Sequence, residues 1–259
     1  PFLNLRAQYI LRIARQFKMQ SSAISNISDW RKPYAERNQL EDLLHSIPAP
    51  APYTVWLRWF EQGTAIIKET NSPNEPNQMA LATATRDGCP SVRYVLLKGH
   101  DERGFYFYTN YSSRKGKELA ENPRASLCQY WPELNRSIRI EGRVERTSAE
   151  NSEAYFRSRP LPSQIGAAVS PQSQVVPSRD FLEDRRRELD ARVSQGESVA
   201  RPESWGGYCV LPTSYEFWQG QRDRLHDRVR FRRRQDLTEE EMRMAQPAEG
   251  DWVCERLAP

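Results

Sequence analysis

Three short basic clusters in this chain have the composition of anion sites. The first is Arg93-Tyr94-Val95-Leu96-Leu97-Lys98. Read as a strand, it puts Arg93, Val95 and Leu97 on one face and Tyr94, Leu96 and Lys98 on the other. Each face is then an apolar strip ending in a cation, which suits a flat aromatic ligand carrying a phosphate. On these residues alone the plainer reading, a barrel strand with solvated ends, is preferred. The second cluster, Thr109-Asn-Tyr-Ser-Ser-Arg114-Lys115, falls where a strand gives way to a helix. Unbonded N–H groups at a helix start attract anions. Two cations in a first turn are unfavourable unless an anion offsets them. The third runs from Trp218 to Arg228 and places Arg224, His226 and Arg228 on one face if extended. Residues 222–234 hold seven arginines and two aspartates, so a solvated edge strand or an RNA-binding stripe remains open beside an anionic aromatic substrate.

Other chemistries find little support. There is no P-loop, GxGxxG, GxSxG or HExxH pattern. Histidines 45, 100 and 226 are too dispersed for a His-rich metal site, so no metal is expected. Cys89, Cys128, Cys209 and Cys254 form no CxxC pair and read as reduced thiols of a cytoplasmic protein. No apolar run approaches the roughly 20 residues of a membrane helix, so no membrane partner is expected.

Short strands and a few helices must position these clusters. Tyr53 to Thr70 has helical apolar spacing. From Met79 the period changes to short strands: 79–85, 91–98, 104–109, 125–131, 136–144, 207–211, 215–219, 228–231 and 252–256. Asp87-Gly88 marks a hairpin turn between the first two. Nine strands with intervening turns predict a closed or nearly closed antiparallel barrel. Ser112 or Ser113 caps a helix to about Ala120, Thr147-x-x-Glu150 has capping-box spacing, and Ser178 caps a charged helix through Val193. The expected class is mainly β with flanking helices (α+β).

Net charge is +4 over 259 residues, and it is localised. Residues 1–28 carry Arg6, Arg12, Arg15 and Lys18 and no acid, so the rest of the chain is formally neutral. That distribution argues against nucleic acid as a partner of the body. Three divisions are expected: a basic extension over 1–28, an arm with a Pro-rich linker over 29–52, and the barrel domain over 53–259. The extension fits a mitochondrial transit segment or a variable basic tail, and both stay open. A start at Pro1 reads as a trimmed or incomplete chain.

Taken in order, RYVLLKG (93–99), TNYSSRKGKEL (109–119), Tyr155-x-x-x-Arg159-x-x-x-Ser163, Pro171-Gln172-Ser173, SWGGY (204–208), EFWQG (216–220), RLHDR (224–228) and ERLAP (255–259) resemble the pyridoxine (pyridoxamine) 5′-phosphate oxidase family over about residues 30–259. The resemblance implies an FMN-binding split β-barrel and a homodimer with FMN at its interface. It implies oxidation of pyridoxine or pyridoxamine 5′-phosphate to pyridoxal 5′-phosphate, with O2 reduced to H2O2. Carried over, the flavin site is Arg93, Tyr94, Val95, Leu96, Lys98, Tyr108, Thr109, Arg114, Lys115, Gln172, Ser173, Trp218 and Arg228. The substrate site is Arg31, Tyr34, Lys98, Tyr155, Arg159, Ser163, Arg224, Leu225 and His226, with Arg224 and His226 nearest the chemistry. Pro160 and Pro162 end the Tyr155 helix near Arg159, leaving Ser163 beyond it. Ser137 departs from the family, which usually has Gln there. A non-oxidase flavin or pyridoxal-phosphate carrier on the same barrel is the competing reading.

Overall fold

The computed structural model describes Tyr34, Leu40 and residues 49–259. Residues 34–259 form one unit, which holds the sheet and its helices. Helix α1 (Pro52–Glu69) begins with Pro52 at its first turn, where a missing N–H costs nothing. It buries Val55, Trp56, Trp59 and Ile67 along one stripe.

The strands are β1 (Gln78–Ala84), β2 (Pro90–Leu96), β3 (Gly99–Asp101), β4 (Gly104–Asn110), β5 (Arg124–Trp131), β6 (Arg136–Arg146), β7 (Trp205–Gln219), β8 (Asp227–Arg233), β9 (Gln246–Pro247) and β10 (Trp252–Leu257). Every pairing is antiparallel, and the order is β2-β1-β5-β6-β7-β8-β10-β9, with β4 joining β3 to β7. The sheet forks at β7. Its first half, Trp205–Val210, pairs with β4, and its second half, Ser214–Gln219, pairs with β8. Strand β6 runs along both halves, with a register shift between Glu141 and Gly142 opposite Pro212. Proline has no N–H for the ladder, and the bulge absorbs that loss. The sequence predicts two strands here; the structure has one of fifteen residues. Strands β3 and β9, two or three residues long, carry too little pattern to be foreseen.

Trp56, Trp59, Met79, Leu81, Phe105, Phe107, Leu127, Trp131, Ile138, Phe217 and Phe231 fill the barrel interior. A helical layer follows β6: α3 (Ala149–Ser158), α4 (Leu161–Val169) and α5 (Arg179–Ser194). It has its own small core of Phe156, Ile165, Val199 and Trp205. Helices α2 (Arg114–Glu121) and α6 (Glu239–Met244) complete the set among the described residues. Ser113 and Ser178 cap α2 and α5 as expected. The cap of α3 is Ser148 rather than Thr147, because Thr147 is still tied to the sheet through its N–H to the Gly207 carbonyl. Among the described residues, no helix is long and apolar enough to cross a membrane.

Candidate functional site

A cleft of about 550 Å³ opens between the β2 edge, the end of β4 and the α3–α4 layer. Its walls include Tyr94, Val95, Leu96 and Lys98 from β2 and the turn after it, and Tyr108 and Thr109 from β4. Lys115, Tyr155, Arg159, Ser163 and Gln172 line it from the helical side. These eleven residues, all predicted from the sequence, therefore meet in one place.

One end of the cleft is built around Lys115. Its amino group donates to Thr109 Oγ1 at 3.1 Å and to Gln172 Oε1 at 3.2 Å, and among the described residues no carboxylate pairs with it. Burial, reinforced by the charge of Arg93, pushes its pKa down to about 8. A buried ammonium with only neutral oxygens around it is a site that gains from an incoming anion.

Arg93 and Arg114 stand behind this end, outside the cleft wall. Both reach Glu118: Arg114 Nε at 2.9 Å and Arg93 Nη2 at 3.4 Å. Glu118 is buried, which by itself would raise its pKa. Hydrogen bonds from Ser91, Thr83 and Arg114, with the charge of Arg93, override that and bring it down to about 2. Glu118 is thus a fixed negative post holding two arginines. Against its one charge, Arg93, Arg114 and Lys115 leave the corner formally +2.

The other end is built on α3 and α4. Tyr155 sits on α3, and Arg159 is the residue after its last turn, in extended conformation (ψ 148°) because Pro160 follows. Ser163 lies in the first turn of the next helix, α4. The kink between the helices brings all three to one wall. The Arg159 guanidinium lies 4.8 Å over the Trp205 ring. Its Nη1 is buried and has no hydrogen-bond partner among the described residues. Tyr108 and Tyr155 stack at 3.9 Å, and both rings run nearly parallel to Trp205.

Trp205, 5% exposed, also lines the cleft and was missed in the sequence. Its signal is the SWGGY motif. A Cβ on Gly206 would lie 2.1 Å from Tyr111 Oη, and one on Gly207 would lie 2.8 Å from Tyr108 Cε1. Gly207 thus clears room for Tyr108 in the stack beside the tryptophan, and Gly206 for Tyr111.

The remaining predicted residues lie elsewhere. Arg114 and Ser173 line a neighbouring cleft of about 360 Å³. Tyr34, Trp218, Arg224 and His226 form their own cluster beyond the end of β7. Tyr34 lies 5.3 Å from His226 and 5.9 Å from Trp218, ring to ring, and Arg224 Cζ is 5.4 Å over Tyr34. The Gln221 N–H donates to His226 Nδ1 at 3.0 Å, so a neutral ring carries its proton on Nε2. Leu225 is largely exposed in that turn. Arg224 and Ser173 both hold positive φ, 71° and 68°, a strained conformation for residues with a Cβ. Trp218 and Arg228 line a third cleft with Ser137 and Tyr130, where Glu216 grips Arg228 at 2.7 Å. Arg31 lies outside the described residues.

The arginine-rich run 222–234 looks different in three dimensions. Arg228 pairs with Glu216, Arg230 with Glu255, and Arg232 with Glu255 and Glu241. Acids distant in sequence neutralise much of the run.

These features define a class: an antiparallel split barrel whose helical layer covers a cleft with a cationic group at each end. Residues 67–192 match the family described as pyridoxamine 5′-phosphate oxidase, and residues 205–259 match the pyridoxine 5′-phosphate oxidase C-terminal dimerisation region. A pyridoxine/pyridoxamine 5′-phosphate oxidase of Cupriavidus necator is 46% identical over 91% of this chain and 100% of its own. One from Bombyx mori is 43% identical over 90% of both chains. A crystal structure of PhzG from Burkholderia lata 383, in complex with tetrahydrophenazine-1-carboxylic acid, covers 88% of this chain and all of its own, at 30% identity and a TM-score of 0.71. An FMN-binding protein of Nostoc punctiforme shares the fold at 15% identity, over 82% of this chain and all of its own, with a TM-score of 0.57. The chain belongs to the pyridoxamine 5′-phosphate oxidase family.

Proposed function

We propose that this protein oxidises pyridoxine 5′-phosphate or pyridoxamine 5′-phosphate to pyridoxal 5′-phosphate, with FMN as its cofactor. One observation carries the reading. A single cleft holds three cations without carboxylate partners among the described residues, Lys115 at one end, Arg159 at the other, and Lys98 on its wall. A cofactor and a substrate that each bear a phosphate need two such ends. Lys115 fits the FMN phosphate, supported by Thr109, Gln172 and the Arg93–Arg114 pair behind it. Arg159 fits the substrate phosphate, with Lys98, Tyr155 and Ser163. Tyr94, Val95 and Leu96 offer the strip against which a flat ring system rests.

FMN, when bound, supplies the hydride acceptor for carbon 4′ of the substrate. The chain's own work is orientation and charge. Arg159 fixes the substrate by its phosphate. His226, with Nε2–H as its donor, and Arg224 hold the pyridine end. Electrons pass finally to O2, giving H2O2; the alcohol substrate needs nothing further, and the amine also takes up water and releases NH3.

The two groups of residues lie on separate surfaces of one chain, so the complete site requires a second copy. In this reading a homodimer brings Trp218, Arg224, His226 and Arg228 of one subunit to the cleft of the other. Support comes from the match of residues 205–259 to a dimerisation region. Exposed apolar residues at the β2 edge also favour it, Val92 at 69% and Tyr94 at 72%.

The test is an absorbance spectrum of the purified protein, followed by pyridoxine 5′-phosphate without oxygen. Flavin bands that bleach on addition support the oxidase. Unchanged flavin bands point to a carrier that binds without oxidising. A colourless protein that takes up no added FMN removes the proposal.

A further inference from the structure

A second cleft, of about 500 Å³, lies at the other end of β4. From Thr109 to Arg103 is six residues, about 20 Å at ~3.3 Å per residue. Five elements converge on it: the start of α1, the β3–β4 turn, the β7 bulge, the end of β8, and the β9–β10 turn.

Its inner wall is built to receive negative charge. Helix α1 opens there with Ala51 as N-cap, no side-chain cap and no acid in its first turn. The first intrahelical bond is from the Val55 N–H to the Ala51 carbonyl. The N–H groups of Tyr53 and Thr54 precede it and face outward from an eighteen-residue helix. The second observation is Tyr215. It is only 2% exposed in the barrel wall, yet it lines this cleft. Its hydroxyl makes no hydrogen bond among the described residues and is not one of the polar atoms sealed from solvent, so the little surface this residue keeps opens on the cleft. The third is Arg233, whose guanidinium lies flat on Trp252 at 3.9 Å and has no carboxylate partner among the described residues. A stacked guanidinium is held in one plane while its N–H edge stays free.

Acids are present but placed otherwise. Glu102 and Glu249 line the cleft as exposed turn residues, where solvent screens them. Arg103, also exposed, is engaged with Glu145 at 2.7 Å. The half-buried and buried groups are the donors. Leu211, Pro212 and the edge of Trp252 supply apolar wall, and the volume exceeds what a bare oxyanion fills.

We propose that this cleft binds a small organic phosphate monoester: its oxyanion is held by the α1 N–H groups, the Tyr215 hydroxyl and Arg233, and its organic body by Leu211, Pro212 and Trp252. The site is separate from the cleft that holds Arg159.

Isothermal titration of the FMN-loaded full chain with phenyl phosphate, and in parallel with inorganic phosphate, tests this. Arg159→Gln removes the main-cleft cation assigned to the substrate phosphate and serves as the separating control. The expected result is a phenyl phosphate site that survives Arg159→Gln. It weakens more than tenfold in Arg233→Gln, and about fivefold in Tyr215→Phe, the value of one lost hydrogen bond. Phenyl phosphate binds this site more tightly than inorganic phosphate. The proposal is overturned if Arg159→Gln abolishes all binding, or if Arg233→Gln and Tyr215→Phe bind as the wild type does. Equal affinity for the two probes overturns the organic-body assignment. Tyr215→Phe keeps the ring that packs in the barrel wall, so it decides the matter if Arg233→Gln does not fold. Since Arg159→Gln leaves this site intact, its failure is distinguishable from failure of the oxidase reading.

Discussion

Trp205 should control how tightly the substrate phosphate is held, though it bonds to no phosphate itself. The Arg159 guanidinium sits 4.8 Å above its ring, and one guanidinium nitrogen is buried without a partner among the described residues. Arg201 pins the tryptophan by donating to its carbonyl at 2.6 Å. Removing the indole face frees a long, flexible cation. A partly desolvated cation–π contact contributes about 1–2 kcal/mol. At about 1.4 kcal/mol per decade, KM for pyridoxine 5′-phosphate should rise about 5- to 30-fold in Trp205→Leu. Turnover at saturation should stay within about threefold, because Arg159 anchors the substrate at a distance from carbon 4′. Trp205→Phe keeps part of the face and should fall between Leu and wild type. Leucine is preferred to alanine because the ring also packs on Phe156, and a Trp→Ala cavity costs about 3–5 kcal/mol of stability. Steady-state oxidation assays, with thermal melts to show that the variants are folded, provide the measurement. A folded Trp205→Leu enzyme with unchanged KM refutes the argument. So does a fall in kcat at constant KM, which would put Trp205 in the chemical step instead.

Three more outcomes rest on the same geometry. The Lys115 ammonium, with its pKa depressed to about 8, is charged below that pH and neutral above it; FMN affinity should therefore fall by up to tenfold per unit as pH rises beyond about 8. Fluorescence titration of the apoprotein between pH 6.5 and 9.5 reads this directly, and Lys115→Arg should flatten the curve. His226→Ala should cut kcat about tenfold with little change in KM, while Arg159→Ala should raise KM about 10- to 100-fold, as expected for one lost hydrogen bond to a charged group; the reverse split contradicts both assignments. Ser137 lies beside Trp218 across the β6–β7 ladder and shares a cleft with Arg228, so Ser137→Gln should restore a flavin contact and tighten FMN binding by about 1 kcal/mol, or about fivefold. Equal Kd values would end that idea.

Much of the main cleft was legible in the chain because its motifs are local and their order carries the family resemblance, although the residues of each alone favour a plainer reading. The Arg93–Lys98 strand, the Ser113 cap and the proline pair after Arg159 are each set within a few residues. What stayed hidden depends on neighbours remote in sequence. Nothing near Arg93 announces that it will share Glu118 with Arg114, since that triangle forms only when α2 packs against β1 and β2. Trp205 reads as an ordinary core aromatic until Arg159, 46 positions earlier, is laid on its face. The charge of 222–234 misleads for the same reason: Glu216, Glu241 and Glu255 lie outside the run. Pro212 reads as a strand breaker, and only the bulge beside it, where β7 carries one residue more than β6, shows how β7 continues through it.

That continuation ties the two halves of the proposed site together. Strand β7 carries Trp205 at its first residue and Trp218 near its last. The first half, paired with β4, supports the Arg159 end of the cleft; the second, paired with β8, supports the His226 turn. Thirteen residues of strand span at most about 43 Å at ~3.3 Å per residue, which sets the two groups at opposite ends of β7. In the proposed two-fold dimer each β7 would serve both sites, giving phosphate grip to one and ring contact to the other. A bulge at Pro212 that shifts register by one residue therefore sets the relation between sites and not merely a local bend. Had the chain two independent strands here, as the sequence pattern suggested, the two ends could drift apart under mutation. A single strand paired with β6 along both halves ties them together.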